Sequence, residues 1–416
     1  MRILKLASYY EPEQISSSHL SRDLEEGYIR NGYEIVIYAP VPTRGISQNT
    51  RNKYKKIKHE EKFNGKIKIY RFFMFKEGKN TIFRALRYLA VNFVQYFKGI
   101  HAKDIDVIFA GSTPPTQGML CAMVKNKLCK KYNKHVPLVF NLQDIFPDSL
   151  VNAKMTNKGS WIWNIGRKIE DYTYQNCDAI IVISEDFKNN IVNKGVPEEK
   201  IVVVPNWINT DNVYPVKRKD NILFDRYGLD RSNYYICYSG NIGHSQNMRL
   251  LLDTAKELKE KYSNLYFVLI GEGAAKEKVE QIIRMEKIEN VIMLPFQPYE
   301  DIAHVFSLGD VGLIISKPGI GGSSVPSKTW SILAAERPIL ASFDKDSELC
   351  KLIDKVECGV TAQAGSLKEL KDAIIRLYLD KKNTNAMGKK GREYIRTELN
   401  KEQCVEKYLD TIKGTI

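Results

Sequence analysis

At 416 residues, with 43% hydrophobic and 27% charged residues, the chain is too long for one ordinary core and reads as two or three folded domains. No run of about 18 apolar residues occurs, and the opening "MRILKLASYYEP" is too briefly apolar for a secretory leader, so the expectation is a protein inside the cell that does not cross a membrane. Seven dispersed cysteines without a CxxC pair exclude a disulfide frame or a zinc site and read as reduced thiols.

From the start the chain alternates apolar runs with helical periodicity. "RILKLAS" and "YEIVIYAP" read as strands, joined by the amphipathic "SSSHLSRDLEEGYIRNG" that Gly32 closes. The net charge of +14 is lopsided: up to Asn212 there are 32 Lys and Arg against 21 Asp and Glu, and beyond it 31 against 28. Much of the excess lies between Arg44 and Lys79, around "RNKYKKIKHEEK". That run is a solvated loop or a docking face for an anionic surface, either phospholipid head groups or a pyrophosphate-bearing acceptor. "TIFRALRYLAVNFVQYFKGIH" is helical in period, with Phe83, Leu86, Leu89, Phe93 and Phe97 spread wider than one narrow stripe and Arg84, Arg87 and Lys98 beside them. It packs on the first sheet or dips into a membrane leaflet. "DIDVIFAGS", "PLVFNLQD", "CDAIIVIS" and "KIVVVPNWI" complete the strands of the first half.

After the polar "NVYPVKRKDNILFDRYGLDRSN" the pattern restarts with "YYICYSGNIG", "LYFVLIGEG", "NVIMLPF", "VGLIIS" and "PILASF", each separated by helical segments, and a helical tail follows. Near-continuous apolar strands with helices between them make parallel sheets covered on both faces. The fold class is therefore α/β, two doubly wound domains with a ligand cleft at the carboxyl ends of their strands. The boundaries are set at 1–212 and 213–393, with a helix over 394–416 returning to the first domain. No G-x-G-x-x-G follows the first strand, where "KLASYYEPEQISSSH" stands, which excludes the usual dinucleotide reading; "GEGAAK" lacks the third glycine.

Three loops of the second half follow strands and carry glycines: "SGNIGHSQN", "GEG" and "GIGGSSVPSKTWSILAAERPILAS". Glycines at strand ends permit close backbone approach to a phosphate. In the third, Ser327 is set to cap a helix whose first turn holds Lys328. A lysine there opposes the helix dipole unless an anion arrives, so the alternatives are a diphosphate partner and a surface lysine after a turn.

"VPSKTWSILAAERPILAS", "YSGNIGHSQNM" and "NLQDIFPDS" resemble the motifs of family 4 retaining glycosyltransferases with the GT-B fold, over nearly the whole chain in the expected order. Within that family they most resemble the O-antigen and capsule subgroup that includes N-acetyl-L-fucosamine transferases. The resemblance implies a second domain that binds a nucleotide-sugar, usually a UDP-sugar, and a first domain that binds the acceptor. It implies Gly240, Asn241 and Gly243 along the diphosphate, with His244 and Gln246 beside them, and Lys328 neutralising the leaving phosphate. Gly271 and Glu272 belong to the second glycine loop, and Gly321, Gly322, Ser323, Ser324 and Ser327 to the third. The segment Leu294 to Pro298, with Phe296 and Gln297, matches the edge whose backbone reads the uracil. Ser16 and Ser17 stand where relatives have glycines facing the diphosphate, although a serine cluster before a helix is also a cap.

The departures matter. Many members carry two glutamates with seven residues between them, one touching sugar hydroxyls and the other the ribose; Ser323 and Ser331 stand at those positions, with Glu336 further on. In "NLQDIFPDS" Gln143 replaces a common histidine, and Asp144 holds the acidic position. Asp144 is a base for the attacking hydroxyl or a cap before Pro147; Asp148 is a second candidate. The resemblance implies retention, no required metal and no cofactor, and a glycan acceptor on a polyprenyl diphosphate at the anionic inner face of the cytoplasmic membrane. Two rivals stay open: a nucleotide-sugar epimerase or hydrolase on the same scaffold, and a basic membrane- or nucleic-acid-binding protein, for which no helix-turn-helix or aromatic-basic platform speaks.

Overall fold

The computed structural model describes residues 1–13, 18–76, 81–152, 156–320 and 325–416. The chain divides into two compact units, Met1–Pro205 with Glu402–Ile416, and Asn206–Lys401.

The first unit is built on an eight-stranded sheet: β1 (Arg2–Leu6), β2 (Glu34–Pro40), β3 (His59–Lys62), β4 (Ile67–Phe72), β5 (Val107–Gly111), β6 (Leu138–Leu142), β7 (Ala179–Val182) and β8 (Ile201–Val203), in the order β3-β4-β2-β1-β5-β6-β7-β8. All neighbours are parallel except β3 and β4. Leu4, Ile37, Val107, Leu138 and Ile180 are wholly buried, as strands covered on both faces require. The order reverses between β1 and β5, which makes their carboxyl ends a switch point. The last helix, Lys401–Lys413, belongs to this unit: Tyr408 donates from its hydroxyl to Asn141 of β6 at 3.1 Å.

The second unit carries β9 (Tyr234–Ser239), β10 (Leu265–Ile270), β11 (Val291–Leu294), β12 (Val311–Ile315), β13 (Ile339–Phe343) and β14 (Gly359–Gln363), all parallel, in the order β11-β10-β9-β12-β13-β14. Its switch point lies between β9 and β12. One face is filled by Leu251, Phe267, Leu313 and Ile374, the other by Leu333, Ala341, Ile353 and Ile395.

Three expectations change. The units divide after Pro205 and not after Asn212, because Trp207 is buried and Val213 packs with Leu333 and Ile339 in the second core. The tail is two helices: Lys381–Glu398 stays with the second unit through Ile395, and only the chain from Glu402 belongs to the first. The third change concerns the helix Thr81–Gly99. Its apolar side chains share one face, since positions 83, 86, 89, 93 and 97 recur at helical spacing. That face points to water: Phe83, Leu86, Leu89, Phe93 and Phe97 are 48–65% exposed, while Arg87, Val91, Asn92 and Gln95 are buried. Among the described residues no helix is long and apolar enough to cross a membrane.

Candidate active site

In the second unit the loops after β9, β10 and β12 meet at the switch point. Gly240 N–H donates to Ile270 O at 2.9 Å, Ile242 N–H to Glu272 O at 2.8 Å, and Lys317 N–H to Ser245 O at 2.9 Å. The contact requires Gly271: its φ is +152°, and a Cβ there would lie 1.9 Å from the Gly240 carbonyl oxygen. Tyr238 fixes the turn further, donating from its hydroxyl to Asn241 O at 2.6 Å, and Gln246 accepts from Gly243 N–H at 3.0 Å.

Lys328 is the first residue of the helix Lys328–Ala334, whose Leu333 and Ala334 are wholly buried. Its ammonium lies 3.6 Å from the centroid of the Tyr238 ring, and a Cβ on Gly240 would come within 2.9 Å of Nζ. The lysine is thus seated between the β9 loop and the start of its own helix. Among the described residues no carboxylate pairs with it, and burial pushes its pKa down to about 7. An ammonium held in this way is short of negative charge, and an anion beside Gly240 would restore it.

The remaining expected donor residues are placed differently from one another. Asn241 and His244 are exposed on the β9 loop beside Gly240, and Glu272 is exposed but paired with Lys276 at 2.6 Å. Phe296 is 72% exposed beyond β11. Gln297, by contrast, is buried and its amide is committed: it donates to Tyr227 Oη and Pro295 O, both at 2.7 Å, and accepts from Arg226 at 2.9 Å. It shapes the edge and offers nothing to a base. Ser327 precedes the helix but makes no side-chain cap, since its backbone is already helical; this corrects the expected capping role. Ser331 is buried one turn along from Lys328. Ser16, Ser17, Gly321, Gly322, Ser323 and Ser324 lie outside the described residues.

Glu336 lies apart from Lys328. It follows the far end of the Lys328 helix with φ +58°, about 12 Å along the axis by helical rise, where its charge acts on Arg337 and Arg392.

In the first unit Asp144 follows β6. The residue is exposed, but its carboxyl lines a recess with Phe140, Phe146 and Tyr174, and that partial burial raises its pKa against a hydrogen bond from Ser149. The recess, ≈ 20 Å³, has room for about one water. Asp148 is engaged elsewhere: although burial pushes it up, Lys194 at 2.7 Å and Asn190 at 3.2 Å hold it below the ordinary carboxylate range. Gln143 donates to Asn141 at 2.8 Å, the residue that also receives Tyr408, so the position where the resemblance expects a histidine is tied into the packing of the last helix. The sequence reading missed the ring of Tyr238 under Lys328, which only the fold brings there. It also missed Glu170, buried on the recess wall and bonded to Tyr174 and Lys194. Among the described residues no group of three or more His, Cys, Asp or Glu side chains could hold a metal ion, and all seven cysteines are free.

Comparison with known proteins fits this geometry. Residues 19–212 match the model of Glycosyltransferase Family 4, and residues 220–394 that of Glycosyl transferases group 1. The Escherichia coli protein named as the colanic acid biosynthesis glycosyl transferase WcaI is 26% identical over 426 residues, covering all of both chains. The sucrose-phosphate synthase of Thermosynechococcus elongatus superposes with a TM-score of 0.74 at 15% identity, over 99% of this chain and 98% of its own. Anabaena Alr3699/HepE, solved in complex with UDP, does so with 0.71 at 14% identity over the whole of both chains. The chain is a glycosyltransferase of family 4 with the GT-B fold.

Proposed function

We propose that the protein moves a hexose-type residue, N-acetylated or deoxy, from a UDP-sugar to a growing glycan of bacterial surface polysaccharide, O-antigen or capsule, with retention at the anomeric carbon. The observation that carries this reading is Lys328: a half-buried ammonium against Gly240, over Tyr238, with no carboxylate partner among the described residues. Charge that develops on a leaving diphosphate is what such a group is suited to stabilise. In this reading the lysine takes the place a divalent cation would hold, and neither metal nor cofactor is required. Asp144 of the first unit receives the proton of the attacking hydroxyl.

The donor assignment draws support from Alr3699/HepE, solved with UDP and with UDP-glucose, and the polysaccharide assignment from the name of WcaI. The acceptor is a glycan on a polyprenyl diphosphate, met at the anionic inner face of the cytoplasmic membrane. The outward apolar face of the helix Thr81–Gly99 supports that surface. Beside it runs a groove of ≈ 560 Å³ lined by Tyr38, Tyr70, Phe93, Val94, Phe97, Lys98 and His101. An apolar face with cations at its border suits an anionic interface.

The test is UDP release from a panel of UDP-sugars, with and without a bacterial lipid extract, by wild type and Lys328→Ala. Release that requires the extract and falls about 10²–10³-fold in the variant is the expected result. Release without any acceptor would make the enzyme an epimerase or hydrolase, and no release from any donor would overturn the reading.

A further inference from the structure

The buried face of the helix Thr81–Gly99 holds a cation that the donor site does not use. Arg87 is 0% exposed, and its Nε, Nη1 and Nη2 have no hydrogen-bond partner among the described residues. Five N–H donors in a fixed fork, out of water and without an acceptor, are an arrangement that folded proteins avoid unless another group completes it. Its Cζ stands 5.2 Å from the centroid of the Tyr9 ring, and the exposed Arg44 reaches the same ring at 5.7 Å. A ring face moderates a buried charge but accepts no fork of hydrogen bonds.

The surroundings add positive charge. Arg51 is buried, donating to Pro42 O and Met74 O at 2.8 Å each. Burial and then the charge of Arg87 hold Arg51 below its usual value, with Glu13 countering. Glu13 does not bond Arg87; its Oε1 accepts from Thr43 N–H at 2.7 Å and Arg44 N–H at 2.9 Å, and its Oε2 from Tyr10 N–H at 3.2 Å. Arg44 and Arg87 thus share the Tyr9 ring, and Arg51 lies close enough to Arg87 to feel its charge. The fork of the innermost is empty.

We propose that Arg87 is the recognition residue of an oxyanion site in the first unit, holding a phosphoryl or carboxylate group of the acceptor in its guanidinium fork while Arg44 and Arg51 supply further charge. The inference rests on the proposed transfer reaction only in assigning the anion to the acceptor. Tyr9 is half-buried and bonded through its hydroxyl to Tyr88 Oη at 3.0 Å, and its ring lies against both the buried and the exposed arginine.

The experiment is calorimetric titration of the full chain, saturated with UDP, with pyrophosphate and separately with glucuronate. Wild type binds one of the two more tightly, which tells a phosphoryl from a carboxylate acceptor group. Arg87→Met keeps an apolar stem without the charge; it lowers that affinity at least tenfold, leaves UDP affinity unchanged and raises Tm, because an unpaired buried charge is gone. Arg87→Lys keeps the charge without the fork and weakens binding several-fold, and it decides the matter if the methionine variant fails to fold. Anion affinity equal to wild type in Arg87→Lys and Arg87→Met, or no anion binding by the UDP-saturated wild type, overturns the site. Binding that UDP displaces and that Lys328→Met abolishes belongs to the donor pocket and also overturns it. Absence of UDP release from every donor would sink the transferase reading alone, since anion affinity and its dependence on Arg87 are measured without turnover.

Discussion

On the proposed donor reading, the sharpest consequence of the Lys328 loop is a proton taken up when UDP binds. Burial lowers Lys328 from 10.5 to about 7, a drop of roughly 3.5. At about 1.4 kcal/mol for each factor of ten, the charged lysine is disfavoured by about 4–5 kcal/mol in the ligand-free fold. The sign is as follows. Between about pH 7 and 10.5 the unfolded chain holds a proton on this lysine that the folded chain lacks, so stability rises with pH through that window. Below about 7 the penalty is complete. A diphosphate at Gly240 reverses the balance, because the charged form then has its counter-ion.

Binding at about pH 8 must therefore draw in up to one proton, and the Kd for UDP must rise by up to tenfold per pH unit between about 7.5 and 8.5. The nucleotide does not contribute there, since terminal phosphates with a second pKa of about 6 are already ionised and the uracil imide ionises only at higher pH. Calorimetry of UDP binding in two buffers of different ionisation enthalpy measures the uptake directly. Lys328→Met should bind UDP weakly, with no uptake and no slope. A wild-type Kd that is flat across the window, or a slope that survives in Lys328→Met, would refute the assignment of Lys328 to the diphosphate.

Three further outcomes are open to measurement. Gly271→Ala puts a Cβ 1.9 Å from the Gly240 carbonyl, so urea denaturation should show a loss of about 3 kcal/mol or more; a loss under about 0.5 would mean that the two loops are not held together as described. Asp144→Asn should lower kcat about 10²-fold with UDP affinity unchanged, and an undiminished kcat would leave Asp144 a turn residue. Leu89→Ser with Phe93→Ser should keep or raise Tm, because both side chains already face water, while abolishing co-sedimentation with phosphatidylglycerol vesicles; retained co-sedimentation would move the lipid contact elsewhere.

How much of this was legible depended on whether a residue's role is local. The central strands announce themselves because sheets covered on both faces leave uninterrupted apolar runs such as "LYFVLI". The antiparallel β3 did not, because "HEEK" is a charged edge strand, and charge at an edge discourages further pairing. Lys328 was readable as a lone cation at the start of a helix. What lowers its pKa was not, since Tyr238 and Gly240 come to it from a strand almost 90 positions earlier. The domain boundary was misplaced for a similar reason: "KIVVVPNWI" reads as one closing strand, yet the strand ends at Val203 and Val213 packs in the second core. The helix Thr81–Gly99 showed its periodicity and hid its direction, because an amphipathic pattern does not say which face meets the core.

The lost glutamates and the depressed lysine are two sides of one arrangement. A carboxylate within about 4–6 Å of Lys328 would hold its pKa up and partly neutralise it before any substrate arrived. At the pattern's second glutamate position stands Ser331, buried and uncharged one turn from the lysine, and Glu336 is turned away toward Arg337 and Arg392. The ammonium is left with the face of Tyr238 and a desolvation penalty that an incoming anion removes. Such a cation discriminates between ligand charges more strongly than a pre-paired one, because the diphosphate does not displace a carboxylate and restores the lysine's proton as it binds. On the proposed donor reading the sugar hydroxyls would lack that carboxylate contact, and recognition of the transferred sugar would pass to neutral groups such as Asn241, exposed on the β9 turn beside Gly240. On that reading, selectivity for charge at the diphosphate and tolerance at the sugar would follow from the same substitutions.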